Sequence, residues 1–291
     1  MNYTISHLGK SFGRQKAVDD VSLDLHCGIY GLLGANGAGK TTLLRMLGGI
    51  LPADSGELKL NGQPVSAKNG LAGKTGYLPQ YPGFYPQMSA KEFLQFMAAI
   101  KGVDPDQAAE TIDRLLKEVG LEEKAQSRIG SFSGGMKQRL GLAQALLGDP
   151  PVLILDAPTA GLDPKERIRF RNLLASLAKN KIILLSTHIV SDVESVADRI
   201  LMMKKGKILM KGEPSSLTSR IAGQVWEVNC SPQESSELMA RYPVSREANG
   251  ANGRTILRLL SAQKPNQNAQ PVIPYLNDLF LYVEQAERID E

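Results

Sequence analysis

The sequence predicts an α/β protein centred on a mainly parallel sheet, and two observations carry that prediction. Residues 29–33, 152–155 and 182–185 are unbroken apolar runs of strand length, the pattern of central strands covered on both faces by helices. Helical periodicity flanks them, in Leu140, Ala143, Leu146 and Leu147 and in Phe170, Leu173, Leu174 and Leu177, so strands and helices alternate as in strand-helix-strand units.

Other segments depart from that plan. Tyr3, Ile5 and His7, then Val21, Leu23 and Leu25, alternate with period two, which predicts a half-buried antiparallel β subdomain. Between residues 89 and 130 two helical patterns follow each other without a strand, Phe93, Leu94 and Met97 and then Ile112, Leu115, Leu116 and Val119, which predicts a helical insertion. From about residue 220 strand-like segments at 225–228 and 255–259, a polar Asn- and Gln-rich loop at 261–270 and an apolar helix at 275–283 predict a small appended α+β domain. The expected division is 1–219, with a helical subdomain at about 81–135, and 220–291 as an accessory domain. No internal repeat or sustained heptad is visible.

Composition excludes several classes. With 42% hydrophobic and 22% charged residues in 291, the chain is neither disordered nor fibrous nor disulfide-stapled. No run reaches the roughly 18 apolar residues of a membrane span, and Met1-Asn2-Tyr3-Thr4 lacks a secretory pattern, so a cytosolic chain is expected. Cys27 and Cys230 match no metal or redox spacing and read as reduced, buried residues. The net charge of +4 is mild, and its one basic run, Lys204, Lys205, Lys207 and Lys211 around Gly206, reads as a solvated turn. No nucleic-acid partner is expected.

The chemistry lies in Gly34-Ala-Asn36-Gly37-Ala38-Gly39-Lys40-Thr41-Thr42, which follows an apolar strand and opens a helical pattern at Leu43, Leu44, Met46 and Leu47. That context is what a phosphate-binding loop requires. Its glycines let backbone N–H groups curl around an anion, and the helix start adds its positive end. Lys40 would reach the β- and γ-phosphates, and Thr41 would offer its hydroxyl to Mg²⁺. Asp156, at the carboxyl end of an apolar run, stands where open α/β sheets collect ligands and would hold the same ion. The core is therefore that of a P-loop NTPase.

Ser133-Gly134-Gly135-Met136-Lys137-Gln138-Arg139, a short distance before Asp156, resembles the signature loop of ATP-binding cassette (ABC) proteins. In that family the loop clamps the γ-phosphate of ATP held by the opposite subunit. The resemblance covers residues 2 to about 215. It implies that Phe12 stacks on adenine, that Gln80 senses Mg²⁺ and couples to a membrane partner, that Asp163 signals across a dimer, and that His188 contacts the γ-phosphate. It further implies ATP and Mg²⁺ as cofactors, a second ATP-binding subunit, and an integral membrane subunit that holds this chain at the inner face of the membrane. Met136 in the signature loop and the appended domain resemble bacterial exporters of drugs, peptides or lipids. A soluble non-transport ABC protein and a binding-only regulatory subunit are the competing readings.

One position departs from the family. The residue after the strand-ending aspartate is normally a glutamate that polarises the attacking water, and here it is Ala157. A term usually worth about 10²- to 10⁴-fold in rate is then missing, so the chain is expected to bind ATP and hydrolyse it poorly. Ala157 reads either as natural degeneration beside a competent partner chain or as a substitution that traps the ATP-bound dimer. The intact Gln80, His188 and signature loop favour the second.

Overall fold

The computed structural model describes residues 1–66, 71 and 73–289, with side chains up to 285. Strands β1 (Asn2–Phe12), β2 (Gln15–His26), β4 (Ser55–Leu60) and β5 (Gln63–Val65) form an antiparallel sheet in the order β2-β1-β4-β5. Tyr3 pairs with Leu25 and Ile5 with Leu23, as the period-two pattern predicts. The alternation then breaks. His7 takes a left-handed φ of 51° at a bulge between Ile5 and Leu8, so Leu8 is buried while His7 faces solvent beside Asp20. A bulge inserts one residue into one strand and moves the later side chains to the opposite face, which periodicity alone does not reveal.

The central sheet contains β3 (Gly28–Leu33), β6 (Thr75–Leu78), β7 (Val152–Asp156), β8 (Ile182–Thr187), β9 (Arg199–Lys204) and β10 (Lys207–Gly212), in the order β10-β9-β3-β8-β7-β6. All neighbours are parallel except the β9-β10 hairpin. Every residue of β3, β7 and β8 is buried, which explains their unbroken apolar sequences. Successive residues serve opposite cores. Leu32, Ile154 and Leu184 face helix α1 (Lys40–Leu47) and the antiparallel sheet, whereas Leu33, Leu155 and Leu185 face the other helices.

Those helices are α2 (Ala90–Ile100), α3 (Pro105–Glu118), α4 (Gly134–Leu146), α5 (Pro164–Leu177) and α6 (Val190–Glu194). Ser89 and Glu92 close a capping box on α2, and Asp104 caps α3, local signals that start the two-helix insertion. The periodicity of α4 suggests one apolar face, yet Leu142 and Ala145 are buried together with Leu140, Ala143 and Leu146. This helix lies between the sheet and the insertion. It approaches β6 so closely that a Cβ on Gly141 would come within 2.6 Å of Leu78, and one on Gly76 within 2.2 Å of the Ala145 carbonyl.

After α7 (Pro214–Thr218) come β11 (Val225–Cys230), α8 (Pro232–Arg241), β12 (Val244–Asn249), β13 (Thr255–Leu260), β14 (Gln270–Pro271) and α9 (Leu276–Ile289). Their sheet runs β12-β13-β11-β14, with a small core of Val228, Cys230, Leu238, Leu257 and Leu259. Helix α9 does not stay there. Leu276, Leu279 and Val283 join the same core as Val193, Ile200 and Met202, and Lys204 Nζ donates to the carbonyls of Val283 and Glu284 at 2.9 Å each.

Arg258 holds this helix against the third sheet. Its guanidinium donates to both oxygens of Asp278 at 2.8–3.0 Å, reaches Glu227 at 3.2 Å and lies over the Tyr275 ring at 4.3 Å. Asp278 is 1% and Arg258 5% exposed. Removing one partner of a buried ion pair leaves an uncompensated charge, so Asp278→Ala is expected to lower stability by about 3 kcal/mol in urea denaturation. Replacing both residues by apolar side chains of similar volume is expected to cost less.

Candidate functional site

The loop between β3 and α1 takes its shape from close backbone approaches. A Cβ on Gly34 would lie 2.3 Å from the Met203 carbonyl, and one on Gly39 2.1 Å from that of Ala17, so neither position accepts a side chain. Gly39 also caps α1 with a φ of 104°. The Gly206 N–H of the β9-β10 turn donates to the Ala38 carbonyl at 2.9 Å, which fastens the loop from behind. Helix α1 has no side-chain cap and no acidic residue in its first turn. Its first N–H groups therefore lack intrahelical partners and carry the positive end of the helix dipole, an arrangement suited to a phosphate.

Lys40 Nζ folds back onto the carbonyls of Gly34 and Ala35 at 2.6 and 2.8 Å. Burial pulls its ammonium below the usual lysine range, while the charges of Asp156 and Glu284 push it back up. The parallel register brings the distant segments together. Asp156 is paired with Ser186 across β7 and β8, and Leu33 with Thr187 across β3 and β8. The loop, Asp156 and His188 thus meet at the carboxyl ends of three adjacent strands, where helix starts and side chains converge on a ligand.

Ser186 Oγ donates to Asp156 Oδ1 at 2.6 Å and accepts the Ala157 N–H at 3.0 Å. Ala157 has a φ of 46°, a left-handed conformation that disfavours side chains with a Cβ. Together with Phe12, Gln15, Ala17, Asn36, Gly37, Gly39, Lys40, Thr41, Thr42, Gln80, Thr187 and His188, these residues line a cavity of about 330 Å³. Gly34 and Ala38 shape the loop from beneath. A larger groove of about 640 Å³ between the β1-β2 hairpin and the β9-β10 hairpin has no such cradle.

The oxygens of Thr41, Asp156 and Gln80 in this cavity are hard donors of the kind Mg²⁺ takes. No cluster of three His, Cys, Asp or Glu among the described residues could hold a metal unaided, so an ion here would share its shell with phosphate oxygens and water. Ser133, Gly134, Gly135, Met136 and Asp163 are absent from the cavity lining. Ser133 instead caps α4, accepting the Met136 N–H at 3.2 Å, and Asp163 caps α5 through the Glu166 N–H at 2.8 Å. Gln15, Ala17, Ser186 and Thr187 also line the cavity and belong to none of the site positions expected from the sequence. Ser186 had a signal in its position next to Thr187 and His188; Gln15 had none.

The ABC transporter family model matches residues 18–160. The ABC transporter ATP-binding protein YxlF of Bacillus subtilis is 46% identical over 217 residues, 74% of this chain and 72% of that protein. The chain belongs to the ATP-binding subunits of ABC transporters. This ABC subunit is also 36% identical over 299 residues to the Nod factor export ATP-binding protein I of a Rhizobium species, covering 96% of this chain and 95% of that one. The bacitracin transport ATP-binding protein BcrA of Bacillus licheniformis is 43% identical over 206 residues, 69% of this chain and 66% of that protein. A solved ATP-binding subunit of an ABC transporter superposes with a TM-score of 0.67 at 27% identity, over 76% of this chain and 93% of that one. A dimeric bacterial cassette gives 0.66 at 23% identity, over 72% and 98%, which speaks for the fold alone. The α/β cassette fold read from the sequence is thus shown.

Because Ser186 is the hydrogen-bond partner of both Asp156 and Ala157, Ser186→Ala leaves a buried carboxylate without its donor. It is expected to cost this ABC subunit about 2 kcal/mol in chemical denaturation.

Proposed function

We propose that this chain is the motor subunit of an exporter-like ABC transporter, that it binds ATP with Mg²⁺ in the cavity between Phe12 and His188, and that it turns ATP over slowly. The observation that carries the reading is the cavity itself. An uncapped helix start, a half-buried lysine and a buried aspartate converge there, with Ala157 directly after that aspartate.

In this reading the backbone N–H groups of residues 36–41 and Lys40 bind the phosphates, and the exposed ring of Phe12 offers a flat face to the base. The Mg²⁺ ion would neutralise phosphate charge, with Thr41, Asp156 and Gln80 as its protein contacts. His188 directly follows β8 and stands at the γ-phosphate end. Ala157 has no acceptor to orient water, so binding persists while the hydrolytic step loses its base. The signature loop at Ser133–Met136, which does not line the chain's own cavity, would close over the nucleotide of a second subunit, with Asp163 at the junction. ATP binding then stabilises a closed dimer, and closure moves the α2-α3 insertion.

Export is supported by the likeness to the Nod factor export ATP-binding protein, which matches along nearly its whole length, accessory segment included. A membrane partner is supported by the exposed apolar surface beside Gln80. Tyr81 is 84% and Ile100 63% exposed, and Tyr85 and Phe96 meet edge-on at 5.7 Å on the same face. Apolar patches of this kind mark protein contacts. No helix among the described residues is long and apolar enough to cross a membrane, so the location at the inner face would come from that partner. Ala157 also favours a second reading, a binding-only regulatory subunit. The two separate in the assembled complex, where a motor subunit regains transport with Ala157→Glu and a regulatory one does not.

Three outcomes are expected. Lys40→Ala weakens nucleotide binding about a hundredfold in calorimetry, since Lys40 makes charge-assisted contacts to phosphate. Ala157→Glu raises steady-state ATPase about 10²- to 10⁴-fold, and no gain sinks the slow-turnover reading. Chelation of Mg²⁺ returns the ATP-loaded dimer to monomer in sedimentation velocity.

A further inference from the structure

The first turn of α5 joins the two halves of the machinery through side chains that no motif names. Glu166 and Arg167 are consecutive, and their side chains reach in different directions. Glu166 Oε1 accepts from Arg139 of the signature helix at 3.2 Å, and a Cβ on Gly135 of the signature loop would lie 2.6 Å from Glu166 Oε2. Arg139 Nε and Glu166 Oε2 are also 3.2 Å apart, although not aligned as a hydrogen bond. Arg139 further donates to the carbonyls of Val119 and Gly120, at 3.0 and 2.8 Å, where α3 ends. It therefore ties the helical insertion, the signature helix and α5 together.

Arg167 reaches instead to the segment after Ala157 and to α6, which follows His188. It donates to the Leu162 carbonyl at 3.1 Å and to Asp192 Oδ1 at 3.2 Å. Asp192 lies on α6, just after His188, and its other oxygen accepts from Thr159 at 2.5 Å. Thr159 is two residues past Ala157. Asp192 and Thr159 are 5% and 4% exposed, and Arg139 9%, so the Thr159–Asp192 and Arg139–Glu166 contacts are sheltered from solvent, whereas the Arg167 side chain is 32% exposed and only its carboxylate partner is buried. Between the two clamps stands Asp163, whose carboxylate is occupied by the Glu166 N–H.

We propose that Glu166 and Arg139 are positioning residues for ATP-driven closure: together with the Arg167–Asp192 contact they make α5 a rigid link between the γ-phosphate end of the chain's own site and the signature loop that serves the other site. The inference rests on the reading that the Ser133 loop closes over the partner's nucleotide. Loss of the link leaves the chain's own nucleotide cradle intact, because neither Glu166 nor Arg139 lines the cavity. What it alters is the coupling between filling one site and presenting the loop to the other, a free energy that typically corresponds to 5- to about 150-fold.

The test uses the full chain with Glu166→Gln, which keeps shape and removes charge, with Arg139→Gln, and with both. ADP affinity reports the monomer's cradle, thermal melting reports the fold, and sedimentation velocity across MgATP concentrations reports closure. The expected result is unchanged ADP affinity and a chain still folded at the assay temperature despite a lower melting temperature, with about tenfold more MgATP needed for half-maximal dimer in each single variant and no further increase in the double. Dimerisation of Glu166→Gln at the parent's ATP concentration overturns the proposal, as do additive effects in the double variant. A fall in melting temperature that accounts for the loss of dimer overturns it too, because the pair then only holds the fold. If the unaltered chain forms no dimer with MgATP while binding ADP normally, the closure reading itself fails and this inference falls with it.

Discussion

The parallel register of β3, β8 and β7 is the constraint on which the site depends. These strands lie far apart in sequence and side by side in the sheet, and their pairing sets Thr187 beside Leu33 and Ser186 beside Asp156. Parallel strands all end on the same edge, so whatever follows each of them is delivered to one place. A register slip of one residue would turn Asp156 into the apolar core and leave the phosphate loop without its opposing carboxylate. Complete burial on both faces prevents that slip, because each strand serves a separate apolar core above and below.

The loop itself is governed by the absence of side chains. Gly34 and Gly39 press against carbonyls of β9 and β2, so the cradle rests on two strands other than β3, from which it emerges. Through Gly206 and Lys204 that support extends to α9. The basic run around Gly206, which reads as a solvated turn, thus contains one lysine that is a helix anchor. Half-burial and two carbonyl partners distinguish Lys204 from a surface lysine, and neither property is written in a run of charges.

Ala157 joins a left-handed φ to a side chain without an acceptor. Its N–H donates to Ser186, and its methyl group offers water no hydrogen-bond partner. β7 ends at the residue before it, and the Ser186 hydroxyl of β8 accepts its N–H, a contact in which the Ala157 side chain takes no part. The proposed separation of ATP binding from turnover has its physical basis in this local independence.

The sequence by itself determined the apolar central strands, the phosphate loop with its helix, Asp156 at a strand end, and the two-helix insertion. Each is a local pattern, set by spacing or by a missing Cβ within a few residues. Only the tertiary structure decided that Leu8 rather than His7 enters the core, that α4 is buried nearly all round, that Ser186 and Gln15 belong to the cavity, and that α9 returns to the cassette. It also decided that Arg139 meets Glu166 rather than solvent. These outcomes depend on which distant segments the sheet places in contact, and a single residue type carries no record of a neighbour that arrives from elsewhere in the chain.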